Sequence, residues 1–195
     1  IPVTAMAASK NQISRVLTAT QDTYLNGENE LVITEQDGLT SSGLTADTNG
    51  EMTFALNLTG AKWKYWNQWN NAEEDAADRL NYEIANEGLV LVSGEDEDGA
   101  ALAGVTVSFD QITNTMMTVT VSGLDKGDKP KISIPIYAQV TGTDTAEIEI
   151  DGMESNLRSE TLTFAKIVTG ATTASIEAVT TIDTATKEIK PIVIK

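Results

Sequence analysis

The sequence predicts an all-β fold, an antiparallel β-sandwich, and three observations carry that prediction. Apolar and polar residues alternate with period two in several stretches, most plainly in residues 52–58 and 129–151. Such alternation puts one set of side chains on each face of a strand, apolar toward a core and polar toward water. Gly, Asn and Asp gather between those stretches at the short spacing of sandwiches and barrels. Helical text is confined to one short stretch near residues 71–80.

Taken in order, residues 1–10 are apolar, with Pro2 near the start. Residues 13–19 and 30–34 read as two strands, separated by the turn-forming pair Asn26-Gly27. Residues 36–50 form a polar loop that ends in Asn49-Gly50. Met52, Phe54, Leu56 and Leu58 then alternate with Thr53, Ala55 and Asn57, the pattern of a half-buried strand. Asn71 as an N-cap, with Glu74 three places on, makes a capping box that opens a helix of about two turns. Residues 81–85, 89–93, 105–109 and 116–121 follow as strands, joined by turns rich in Gly and acid.

In residues 129–140, Ile132, Ile134, Ile136, Ala138 and Val140 alternate with Ser133, Pro135, Tyr137 and Gln139. Ala146, Ile148 and Ile150 then alternate with Glu147, Glu149 and Asp151. Thr141, Gly142, Thr143 and Asp144 carry turn chemistry, so the two strands are expected to form a hairpin. Pro135 cannot donate to a ladder, which calls for an edge position or a bulge. Residues 161–167, 174–180 and 187–194 complete about a dozen short strands. No stretch reads as an interdomain linker, so residues 1–195 are expected to form one sandwich domain, immunoglobulin-like or jelly-roll-like in plan.

Composition removes several function classes. The chain has 29 acidic residues against 13 basic, a formal net charge of −16, and neither Cys nor His. An acidic surface of this size repels phosphate backbones, so nucleic acid is not an expected partner. Without Cys there is no disulfide framework or thiolate, and without His the usual general base and transition-metal ligand are missing. No apolar run approaches the ~18 residues that a membrane-spanning helix needs. Ala5-Met6-Ala7 is similar to the small-x-small end of a signal peptide, which points to export. No catalytic residues are identified: there is no Gly-rich phosphate loop, no activated Ser and no carboxylate pair with a cleft signature. A non-enzyme is expected.

The two ends of the chain share a design. Residues 14–23 with 31–34, and residues 175–184 with 191–195, both place a Thr-rich strand, a polar turn and a β-branched strand in succession. A closing segment that copies an opening one is suited to the same slot in a neighbouring copy. Residues 31–35 (LVITE), 52–63 (MTFALNLTGAKW), 131–136 (KISIPI) and 161–165 (TLTFA) carry a wider likeness. In these the chain resembles secreted Gram-positive surface proteins with tandem β-sandwich repeats, found beside copper-amine-oxidase-N-like domains. The resemblance implies a cell-surface or extracellular-matrix role and repeats that close with a strand leading into the next. It implies no copper chemistry here, because no His is present. With a single repeat, a non-covalent array is the corresponding expectation.

Three groups of residues are candidate sites. Ile1 and Val3 at one end, and Ile189, Ile192 and Ile194 at the other, are candidate strands exchanged between subunits. Trp63, Tyr65, Trp66 and Trp69 form an aromatic stretch that either packs a core or interface, or stacks on sugar rings with Asn67, Gln68 and Asn70 alongside. Glu95, Asp96, Glu97 and Asp98 make an acidic loop, read first as a solvated turn and second as a calcium site, since calcium takes six to eight oxygens. No other cofactor is expected. Together these readings give a secreted structural protein that assembles with copies of itself into fibres, biofilm matrix or a surface layer. The alternative is a carbohydrate-binding or adhesion module using residues 63–69 on a cell-wall or other polysaccharide.

Overall fold

The computed structural model describes residues 11–34, 51–125, 127–153, 155 and 157–169. Its elements are β1 (Gln12–Ile13), β2 (Leu17–Thr20), β3 (Tyr24–Thr34), β4 (Glu51–Thr59), β5 (Ala61–Trp63), β6 (Tyr65–Asn67) and β7 (Ala72–Glu74). After these come α1 (Ala76–Asn86), β8 (Val92–Glu95), β9 (Thr106–Gln111), β10 (Met116–Ser122), β11 (Lys129–Val140), β12 (Thr145–Asp151) and β13 (Glu160–Val168). One sheet runs β1-β3-β11-β5, with β8 also beside β11; the other runs β2-β13-β12-β4-β10-β9. A two-stranded ribbon, β6-β7, stands apart from both. Pairing is antiparallel except between β13 and β2. The fold is all-β and sandwich-like, as the alternation predicts.

Alternation is what fills the core. Met52, Phe54, Leu56 and Leu58 of β4 are buried, as are Met117, Val119 and Val121 of β10. They join Ile132, Ile134 and Ile136 of β11, Ile148 and Ile150 of β12, and Phe164 of β13 in one continuous cluster. Burying each such side chain contributes ~1.5–3 kcal/mol.

The predicted hairpin of β11 and β12 is not formed. β11 pairs with β3, β5 and β8, whereas β12 pairs with β4 and β13 in the other sheet. Residues 141–144 therefore arch from sheet to sheet. Period-two text fixes which face a residue takes but not which strand lies beside it. The predicted turn at Asn26-Gly27 is also absent. These residues lie within β3, where Glu30 faces Pro135 but Asn26 faces Tyr137, so the pairing register shifts there. Gly27, at φ +83, sits where a Cβ would come within 3.1 Å of the Tyr137 ring. The chain turns earlier, at Gln21 and Asp22. Pro135 borders that same shift, so of the two expectations for it the bulge is realised, inside a central strand. Ser133 donates away from β3 to the Leu91 carbonyl. By alternation Pro135 faces the same side, beyond the end of β8 and before β5, where no ladder needs its missing N–H.

The helix is real but displaced. Its N-cap is Asp75, whose side chain accepts from the Ala77 and Asp78 amides, and it continues through residues read from the sequence as a strand, 81–85. Residues 72–74 are extended instead and pair with β6. Leu80, Tyr82 and Ile84 alternate, yet Ala77, Leu80 and Ile84 also recur at helical spacing, and packing of α1 on β9 decides between the two. Residues 13–19 divide between β1 and β2, which lie in different sheets. The strands expected at 174–180 and 187–194, and the terminal candidates Ile1, Val3, Ile189, Ile192 and Ile194, lie outside the described residues.

Candidate functional site

The aromatic stretch is split among three environments. Trp63 is fully buried at 0% exposure and its indole N–H donates to the Leu56 carbonyl at 3.3 Å. It packs the core and offers no face to a sugar. Tyr65 is also buried, set edge-on to Tyr137 with ring centroids 5.2 Å apart. Trp66 is partly buried and tilts against Tyr24, centroids 5.4 Å apart. Of the two readings of residues 63–69, core packing holds for Trp63 and Tyr65, and the alternative of a sugar-stacking surface is narrowed to Trp69, 95% exposed on the turn between β6 and β7.

That turn is braced by its own side chains. The Trp69 amide donates to Asn67 Oδ1 at 2.9 Å, and Asn67 and Asn70 both donate to Glu74 Oε1, at 2.7 and 3.2 Å. Beside it, α1 presents Asp78, Arg79 and Tyr82, and Glu87 lies just past its end. Asn67, Trp69, Glu74, Asp78, Arg79, Tyr82 and Glu87 line an open cleft of about 500 Å³.

A charged network anchors the helix beneath this cleft. The Arg79 guanidinium lies 4.7 Å above the Tyr65 ring centroid and donates to Glu83 at 2.9 Å and to both oxygens of Glu87. Burial alone would lower the Arg79 pKa, but Glu83, Tyr65 and Glu87 outweigh it and hold it above its ordinary value. Glu83 is itself buried and accepts from the Tyr137 hydroxyl at 2.9 and 2.7 Å. Burial first, then the Glu83 carboxylate, push the Tyr137 hydroxyl well above its ordinary range.

The acidic loop is a self-contained turn. Asp96 Oδ1 accepts from the Asp98 and Ala100 amides at 2.9 and 2.8 Å, and the Asp96 amide donates to the Ala100 carbonyl. Asp96 is thus spent on the backbone. The first reading of Glu95, Asp96, Glu97 and Asp98, a turn, describes this loop, and among the described residues no group of three acids converges as the second reading, a calcium site, would need.

A second surface lies at the other side of α1. Among the described strands β9 is the last of its sheet. At Phe109 its outer edge is covered by Asn81 of α1, which donates to the Phe109 carbonyl at 2.8 Å and accepts from the Phe109 amide at 3.0 Å. Nearer the start of β9 the edge borders an apolar groove of about 170 Å³, lined by Ile84, Leu89, Val90, Leu91, Val92, Val105, Thr106 and Val107. Val90 is 79% exposed there.

Sequence reasoning did not single out Tyr82, Arg79, Asn81 or the groove, because period-two spacing placed residues 81–85 on a strand. Helical spacing within 77–84 is the signal that reveals them. Among the described residues no helix is long and apolar enough to cross a membrane. Comparison of the chain with protein-family models, curated proteins and solved structures gives no match.

Proposed function

We propose that this chain is a secreted structural subunit that assembles head to tail into an extracellular fibre, matrix or layer. Each copy adds its C-terminal segment, residues 187–195, as a strand along the β9 edge of the next. The observation that carries this reading is the β9 edge, the last among the described strands of its sheet, which borders an apolar groove formed by Ile84, residues 89–92 and residues 105–107.

An edge strand is a template for another strand, and a groove beside it gives alternate side chains somewhere to go. Ile192 and Ile194 are two apart, so in an extended segment they share a face. The same segment carries Lys187, Lys190 and Lys195 against Glu188, in a chain of net charge −16, so it is drawn to the body of a neighbour. The apolar segment with Ile1 and Val3, residues 1–10, carries a single Lys, Lys10. A contact between a tail and a distant edge is heterologous and propagates rather than closing. The resemblance to tandem-repeat surface proteins and the lack of Cys and His point the same way.

Deleting residues 187–195 tests the reading. The truncated chain should fold, remain monomeric by sedimentation, show no fibres by electron microscopy, and bind a synthetic peptide of residues 187–195. Deleting residues 1–10 should leave assembly intact. A full-length chain that stays monomeric at high concentration, or a truncated one that assembles normally, contradicts it.

A further inference from the structure

The cleft beside Trp69 has a different chemistry from the β9 groove and lies apart from it in its lining residues. We infer that it binds a neutral polysaccharide, with Trp69 and Tyr82 stacking on pyranose faces and the surrounding carboxylates and amides accepting and donating hydrogen bonds at the sugar hydroxyls.

Among the described residues Trp69, at 95% exposure, is the most exposed large apolar side chain, and Tyr82, at 51% and with the Arg79 guanidinium 5.4 Å over one face of its ring, lines the same cleft. An aromatic ring left in water gains by covering a C–H-rich face, while polar groups beside it fix orientation. The cleft, at about 500 Å³, falls within the range of small-ligand sites. Its turn is held before any ligand arrives: Asn67 fixes the Trp69 amide, and Glu74 fixes Asn67 and Asn70. Little ordering remains to be done on binding.

Charge decides the class of sugar. Glu74, Asp78 and Glu87 outnumber Arg79 in the lining, and Arg79 already donates to Glu83 and to both oxygens of Glu87. Arg79 is the one cation in the described lining and is neutralised by Glu83 and Glu87, so an anionic polymer meets a net negative surface. A basic peptide finds Glu87 already paired with Arg79 and Glu74 Oε1 shared by two amides, so Asp78 is the carboxylate left whole for it, and polylysine is included among the probes for that reason. What remains is stacking surface plus groups matched to hydroxyls.

The test uses the full chain in affinity gels and tryptophan fluorescence. The probes are soluble β-glucan, xylan, mannan and starch as neutral polymers, polygalacturonate as the anionic one, and polylysine as the basic one. At least one neutral polymer should retard migration and shift the emission, with little dependence on salt. W69A and Y82A should each weaken that binding about tenfold or more, with unchanged circular dichroism and unchanged assembly. Silence across the neutral panel, equal binding to polygalacturonate, or neutral binding that survives W69A overturns the inference. Salt-sensitive binding to polylysine alone reassigns the cleft to a basic protein partner. Loss of assembly in W69A reassigns it to a second copy of this chain. Both reassignments overturn the sugar site.

Discussion

Glu83 ties α1 to the sheet through the Tyr137 hydroxyl of β11, and it is paired within the helix to the Arg79 guanidinium one turn earlier. Y137F removes a hydrogen bond to a buried carboxylate and should cost about 1–3 kcal/mol in urea denaturation near neutral pH. The same residue sets a pH response. Tyr137 is raised above its reference value of 10.0, so above that pH the unfolded chain releases a proton that the folded chain keeps. The folded state then binds more protons, and stability falls as pH rises. Tyr24, raised to about 12 first by burial and then by Glu73, adds to that fall. The melting temperature should therefore drop above pH 10, and Y137F should flatten part of the drop while leaving the share of Tyr24. A fall of equal steepness in Y137F would show that Tyr137 takes no part. At this scale the sequence was half legible. Trp63 shares a face with Ala61 across the polar Lys62, the short alternation that puts it in the core, while Trp69 stands on a turn. Nothing in the local text shows that Tyr65 would be covered by Arg79 or Tyr137, since those contacts join distant segments.

Among the described residues helix α1 covers β9 only in part, at Phe109. Asn81 gives Phe109 the two hydrogen bonds a neighbouring strand would give, so β9 is blunted there. N81A leaves both backbone groups without that partner and should cost about 1–3 kcal/mol by urea denaturation. D75A removes the N-cap bonds to Ala77 and Asp78 and should cost about 1 kcal/mol. If N81A were neutral, Asn81 would not be what closes that edge. The strands of both inner faces were readable from alternation because each has one buried face. The helix boundaries were not, since Asn71 with Glu74 mimics a capping box while Asp75, closer to the first buried turn, makes the actual cap. Residues 71–74 are used by the β6–β7 ribbon instead, and Asn71, at φ 53, helps close its turn.

Across the whole molecule the chain passes between the sheets at a shared corner. Gly60 links β4 to β5, residues 141–144 link β11 to β12, and the Thr141 and Gly142 amides both donate to the Gly60 carbonyl at 2.9 Å. Gly60 has φ +75, and a Cβ there would sit 2.2 Å from the Thr145 carbonyl oxygen. G60A should destabilise the fold by about 3 kcal/mol or more, because it combines backbone strain with a clash against main chain. The all-β class was legible because strand text is local. The two-sheet topology was not, because a short Gly-containing link serves a hairpin and an arch equally well, and the choice is made by strands far away in sequence. Strand donation as proposed places Ile192 of one copy against the β9 edge of the next. The chain has no Cys, so a single engineered pair reports on it directly. In a V107C/I192C double variant, oxidation should give a ladder of disulfide-linked multimers on a non-reducing gel, and neither single variant should exceed a dimer. A fast-migrating, internally cross-linked monomer, or no cross-link at all, would contradict strand donation between copies.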